Sequence, residues 1–125
     1  MNQECIRDIL IYIDRNQKHS ASGNRIPFKF SQFCADEEMK EKYSLAEMNT
    51  AVCYLVDKKM LASADAEGKT QRIHIEKITA KGYDYLQVIQ NDTVWNKLKD
   101  KLHPFFDTGI TVIVEHAIKT FLPFL

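Results

Sequence analysis

Three cysteines and four histidines are the side chains of this chain best suited to bind a metal or attack a substrate. They are Cys5, Cys34, Cys53, His19, His74, His103 and His116. A structural zinc site takes four such ligands, usually in closely spaced pairs such as Cys-x-x-Cys, and no such pair occurs. The odd number of widely spaced cysteines also argues against a disulfide framework. We therefore expect no metal, no cofactor and three reduced thiols in a cytoplasmic protein.

Sequence motifs with a known catalytic mechanism are absent. The chain has no Gly-rich phosphate loop, no Gly-x-Ser-x-Gly and no His-Glu-x-x-His. Glu115 and His116 are adjacent on a predicted helix, where successive side chains point about 100° apart and do not converge. Cys34 or Cys53 could act as a nucleophile with a distant histidine, but nothing in the pattern directs either thiol. We predict that the protein is not an enzyme.

The overall composition is that of a single soluble domain without excess charge. The chain has 125 residues and a mass of 14.5 kDa, with 17 Lys and Arg against 17 Asp and Glu. A domain of this size can bury a core without disulfides. The balanced charge excludes a polycation that coats nucleic acid through charge alone. The apolar N-terminal residues are interrupted by Arg7 and Asp8, and the apolar segment 104–125 carries charges, so we expect no signal peptide and no membrane span.

Hydrophobic spacing predicts a mostly helical chain with three short strands. The predicted elements are a helix over residues 4–16, an edge strand over 26–30, a helix capped by Ser31, a helix over 44–59, a hairpin over 61–78 and three more helices. Of these, the helix over 44–59 has the clearest start, because Ser44 and Glu47 form the Ser-x-x-Glu capping box. The last three helices are expected to be capped by Thr79, by Asp92, and by Asp107 or Thr108.

This order of elements predicts an α+β, mostly helical fold of the winged helix-turn-helix type. Residues 1–90 would form the winged-helix domain, with helix 44–59 as the recognition helix and residues 67–72 as the wing. Residues 91–125 would form a C-terminal helical extension of the same unit.

A resemblance to a known family starts with the segment Ile78-Thr79-Ala80-Lys81-Gly82-Tyr83-Asp84-Tyr85-Leu86, which follows the predicted wing. Extended through Trp95 to Lys99, it resembles the pattern "LTxxGhxFLdxIrxdxvWxkvK" of the domain-of-unknown-function family 2513, found in bacteria and prophages. A small prophage family, the YjcQ-like proteins, shares the layout. The sharpest match covers residues 78–102, and Lys59-Met60 stand where a Gly usually precedes the hairpin. The resemblance implies a winged helix and a mobile-element setting, but no reaction.

The residues of this motif have structural roles that can be stated in physical terms. Thr79 can cap a helix with its hydroxyl group. Gly82 would let that helix approach the hairpin closely, at a cost of about 1 kcal/mol in helix propensity. Trp95 is large enough to hold the extension onto the domain.

Six side chains would contact DNA if the protein is a transcriptional regulator. They are Asn49, Thr50, Tyr54 and Lys58 on the recognition helix, and Lys69 and Arg72 at the wing. In the major groove, Asn49 could bond adenine and Thr50 could contact a thymine methyl group. Lys69 and Arg72 could contact phosphates.

The charge distribution leaves a second interpretation open. Residues 31–60 carry four basic and six acidic side chains, so the predicted DNA-binding region is the most acidic part of the chain. The fold could instead serve as a protein–protein interaction module that does not bind DNA. The acidic run Asp36 to Glu41 would then belong to the surface for the partner, or would simply be solvated.

The last predicted helix carries a wide apolar stripe, made of Ile110, Ile113, Val114, Ala117, Ile118, Phe121 and Leu122. An exposed stripe of this width would mark an interface, and we predict a homodimer through it. Packing of the stripe against the first helix of the same chain, and association with a membrane surface, are the alternatives.

Overall fold

A computed structural model of the chain describes residues 2–63, 74–101, 116, 118–120 and 123. The helices are α1 (Gln3–Asn16), α2 (Phe30–Ala35), α3 (Glu37–Lys42), α4 (Leu45–Asp57), α5 (Ala80–Ile89) and α6 (Asp92–Lys101), and the strands are β1 (Phe28–Lys29), β2 (Leu61–Ser63) and β3 (His74–Ile78). The described chain is therefore α+β and mostly helical, as predicted. None of its helices is long and apolar enough to cross a membrane.

The three strands form one antiparallel sheet in the order β1-β3-β2. Phe28 pairs with Ile75 on one side of β3, and Leu61 pairs with Ile78 on the other. The pairing of β2 with β3 shifts by one residue, so that Glu76 forms a bulge. β1 lies at an edge of the sheet, as the proline before it predicts, but it is only two residues long because Phe30 already belongs to α2.

Three predictions about helix boundaries were wrong. The single second helix is two helices, because Asp36 ends α2 and its carboxylate caps α3 by accepting the backbone N–H of Met39 at 3.0 Å. Ser31 is not an N-cap, since α2 begins one residue earlier. The cap of α6 is Asn91, whose side chain accepts the N–H of Val94 at 3.1 Å, and not Asp92.

The core lies between α1, α4, α5 and the inner face of the sheet. The apolar stripe of α1 is fully buried, as are the matching residues of α4. These side chains are Ile6, Ile9, Leu10, Ile13, Met48, Val52 and Leu55. Because α4 is held along its whole inner stripe, its outer face is presented in a fixed orientation.

The motif after β3 has the structural roles that the sequence predicts. The Thr79 hydroxyl accepts the N–H of Gly82 at 3.1 Å and donates to the Lys59 carbonyl at 2.6 Å. A Cβ on Gly82 would collide with the Met60 carbonyl oxygen, so only glycine allows this approach of α5. Trp95 is buried and its indole N–H donates to the Glu4 carboxylate at 3.1 Å, which fixes α6 to α1.

Lys59, which follows the C-cap of α4, has a backbone conformation in which glycine is usual. Its φ is +61°. Its N–H donates to the Val56 carbonyl at 3.0 Å, and the N–H of Met60 donates to the Leu55 carbonyl at 2.9 Å. This is the hydrogen-bond pattern of a Schellman motif, in which the left-handed position is usually Gly. Lys59-Met60 stand where the family pattern usually has a Gly before the hairpin. In this chain that place is therefore taken by a residue with a strained backbone.

Of the seven residues predicted to form a dimer interface, only Ile118 is described. It is half-buried and packs against the core of its own chain. Ile110, Ile113, Val114, Ala117, Phe121 and Leu122 lie outside the described residues, as do Lys69 and Arg72 of the predicted wing.

Candidate nucleic-acid interface

The outer face of α4 carries short, uncharged side chains near its middle. Thr50 is exposed and Asn49 is half-buried. The Asn49 side-chain oxygen lies 3.9 Å from Cys53 Sγ, which donates to it. Asn49 and Thr50 are therefore on the side of α4 that faces away from the core.

Tyr54 and Lys58 form a pair one helical turn apart, further along the same helix. The Lys58 ammonium lies 5.6 Å from the centre of the Tyr54 ring, and both side chains are half-buried. Such a cation–π contact contributes about 0.5–1 kcal/mol at an exposed site. The structure thus places Asn49, Thr50 and Tyr54 on α4 and Lys58 at its C-cap, with the Lys58 charge above the aromatic ring.

A two-residue turn sets the angle between α3 and α4. Tyr43 is buried, and its hydroxyl donates to the Asp8 carboxylate at 2.6 Å. Burial, and then this carboxylate, raise the pKa of Tyr43, so the hydroxyl stays a donor. Ser44 follows as N-cap of α4 and forms the predicted capping box with Glu47. The role of Asp8 was missed, because it lies 35 residues from Tyr43 and no local pattern links them.

The acidic run of α3 is largely paired within the chain. Lys40 lies 3.0 Å from Glu37. Lys42 lies 3.4 Å from Glu38 and 3.8 Å from Asp8. These lysines stand three and four residues after their acidic partners, a spacing visible in the sequence. Lys40 and Lys42 are already among the four basic side chains of residues 31–60, so this pairing leaves the net negative charge of the region unchanged.

The first turn of α4 combines one fixed negative charge with an exposed apolar residue. The Asn2 amide donates to the Glu47 carboxylate at 2.7 Å. This bond, together with the Ser44 N–H, lowers the pKa of Glu47, which stays ionised. Leu45 is 61% exposed at the start of the same helix. A ligand that meets this end of α4 meets a carboxylate and an aliphatic side chain.

The thiols lie in surroundings that disfavour the reactive thiolate. Burial, followed by the charges of Glu47 and Asp8, raises the pKa of Cys5 to about 12. Burial also raises the pKa of Cys34 and of Cys53. Within residues 2–63 and 74–101, no three His, Cys, Asp or Glu side chains cluster in a way that could hold a metal ion.

Comparison with known proteins gives one match. A family model described as "Hypothetical protein (DUF2513)" covers residues 1–104, which confirms the resemblance stated from the sequence. No curated protein and no solved structure matches the chain.

Proposed function

The chain belongs to the DUF2513 family of hypothetical proteins, and from this premise we propose that it is a winged-helix transcriptional regulator that binds double-stranded DNA through α4. The mobile-element or prophage setting implied by the resemblance is part of the same proposal.

The outer face of α4 is the observation that carries this proposal. The helix follows α3 after a turn of two residues and precedes the β2–β3 pair, which is the order of a helix-turn-helix with a wing. Its middle exposes Thr50 beside Asn49, and short uncharged side chains of this kind can approach base edges in the major groove. Glu37 and Glu38 lie on α3 and not on the outer face of α4, and each is paired with a lysine of the same helix.

Equilibrium binding of a fluorescently labelled random duplex tests the proposal. Any protein that neutralises phosphates binds random DNA weakly at about 50 mM salt and much more weakly at about 200 mM. Thr50→Glu places a carboxylate on the outer face of α4, and we expect it to weaken binding at least tenfold. Gln87→Glu adds the same charge at an exposed position of α5 and is the matched control, with an expected change below twofold. Absence of binding at micromolar protein, or equal effects of the two variants, would refute the proposal.

The exposed Leu45 supports a second candidate, a protein–protein interaction module. An aliphatic side chain that is 61% exposed at the start of a helix suits an apolar partner surface better than a phosphate backbone. This alternative predicts no duplex binding in the assay above, and a loss of partner binding for Leu45→Ser.

A homodimer through the C-terminal stripe remains part of the proposal. The mass of the full chain in light scattering should be twice 14.5 kDa. A monomeric mass at micromolar concentration would remove the dimer from the account.

A further inference from the structure

A second surface, separate from α4, carries a local excess of basic side chains. No acidic residue occurs between Asp14 and Asp36. The same interval contains Arg15, Lys18, His19, Arg25 and Lys29. The net charge of the whole chain does not reveal this basic interval, because the acidic residues that begin at Asp36 offset it.

Residues 17–26, here called the basic hairpin, have a defined backbone structure. The N–H of Ile26 donates to the Lys18 carbonyl at 2.9 Å, and the N–H of Ser20 donates to the Asn24 carbonyl at 2.7 Å. His19 and Arg25 face each other as an antiparallel bridge. Gly23 turns the chain with a φ of +86°, which glycine adopts without strain. The backbone of Arg25 is therefore held opposite that of His19, with Lys18 next to it in sequence.

The sheet brings one more lysine to this surface. The chain leaves the basic hairpin into β1, which pairs with β3. A hollow of about 550 Å³ lies between the basic hairpin and β3, lined by His19, Gly23, Asn24, Arg25, Glu76 and Lys77. Glu76, in the bulge of β3, is the acidic member of this lining. Three basic side chains thus surround an open depression that contains a single carboxylate.

These basic groups are free to act on a ligand. Lys18, Arg25, Lys29 and Lys77 are all exposed. The ion pairs found among residues 2–63 and 74–101 involve other lysines and arginines, namely Arg7, Lys40, Lys42 and Lys99. A surface on which exposed cations outnumber carboxylates attracts polyanions over roughly a Debye length of 10 Å.

We propose that the basic hairpin, with Lys29 and Lys77, binds the phosphate backbone of double-stranded nucleic acid. The cations are spread along an open surface instead of closing around a pocket: Arg25 and Lys29 are four residues apart, or about 13 Å in extended chain. A duplex is a linear polyanion with one phosphate per 3.4 Å of helix axis on each strand, so cations this far apart can contact different phosphates of one duplex. Ser20, Ser22 and Asn24 at the tip carry hydroxyl and amide donors of the kind that bond phosphate oxygens. The inference rests on the proposed function in naming DNA as the ligand, and adds affinity without sequence preference.

The salt dependence of duplex binding measures this contribution directly. Each phosphate contact contributes about 0.9 to the slope of log Kobs against log salt concentration. Arg25→Ala/Lys77→Ala should therefore reduce the slope by about 2 and weaken binding at least tenfold at about 50 mM salt. Lys81→Ala/Lys97→Ala removes the same charge from exposed positions of α5 and α6 and should leave the slope unchanged. Glu76→Gln removes the carboxylate of the hollow, so binding should tighten twofold or more, an effect that a damaged fold would not produce.

The outcomes separate this inference from the proposed function. If Thr50→Glu weakens binding and the Arg25/Lys77 variant does not, the basic hairpin is not a phosphate surface, although the proposal for α4 stands. If the Arg25/Lys77 variant weakens binding and Thr50→Glu does not, the hairpin is supported and the proposal for α4 fails. Binding of poly-L-glutamate but not of duplex would overturn the inference in favour of an acidic protein partner.

Discussion

Replacing Lys59 with glycine should stabilise the protein. Lys59 has a φ of +61°, and a non-glycine residue in the left-handed region costs roughly 1–2 kcal/mol. Glycine avoids this cost. It also increases the conformational entropy of the unfolded chain, which lowers the free energy of unfolding by about 0.5–1 kcal/mol. The net gain in the free energy of unfolding is about 0.5–1 kcal/mol. Lys59 takes part in the Schellman hydrogen bonds and in the bond from the Thr79 hydroxyl through its backbone groups alone, so all of them are retained.

Thermal and urea denaturation of Lys59→Gly measure this gain, with the neighbouring Lys58→Gly as control. Lys58 has a φ of −84°, where glycine relieves no strain, costs about 0.5–1 kcal/mol and also removes the cation–π contact with Tyr54. We expect the midpoint temperature to rise by about 2–5 °C for Lys59→Gly and to fall by a similar amount for Lys58→Gly. A decrease for Lys59→Gly, or equal shifts for the two variants, would refute the description of how α4 ends.

Three further predictions test the packing around the site. Gly82→Ala should lower the free energy of unfolding by about 1–3 kcal/mol in urea denaturation despite its better helix propensity, because the new Cβ meets a backbone carbonyl; a stabilised variant would contradict the close approach of α5. Arg7→Met should lower the free energy of unfolding by about 1–3 kcal/mol, since it removes the 2.7 Å hydrogen bond to the Ile89 carbonyl. Asp92→Asn, which removes only the ion pair of Arg7 with a carboxylate that is 87% exposed, should lower it by under about 1 kcal/mol. In the folded protein the pKa of Cys5 is about 12, against an ordinary value of 9.0, so the thiol of the unfolded chain ionises first as the pH rises. The free energy of unfolding should therefore fall between pH 9 and pH 12. Alkylation of Cys5 at about pH 8 should require unfolding, and rapid labelling of the native protein would show that the thiol is not buried.

The parts of the fold predicted from the sequence are those whose cause lies within a few residues. The capping box of Ser44 and Glu47 and the cap at Thr79 each depend on a group three residues away, and the structure contains both. The close approach at Gly82 was predicted from its place on the helix after the hairpin, although the group that it meets, the Met60 carbonyl, is distant in sequence. The break at Asp36 was missed although its signal is local, because Ser31 offered a competing cap for one longer helix.

Long-range contacts could not be predicted in this way. The Asp8–Tyr43 hydrogen bond joins residues 35 positions apart, and the bond between Glu4 and Trp95 spans 91. Only the packed core brings such partners together. At the candidate site, helical periodicity correctly placed Thr50 on the outer face of α4. The position of Lys58 over the Tyr54 ring depends on side-chain conformation, about which spacing says nothing.

An NMR titration of the ¹⁵N-labelled protein with an unlabelled random duplex at about 50 mM salt tests the central claim, binding of DNA through α4, most directly. The account predicts amide shift changes at Asn49 and Thr50 that saturate with duplex and reverse at about 200 mM salt. Unchanged α4 amides at duplex concentrations that shift other residues, or no shifts anywhere in the chain, would contradict it.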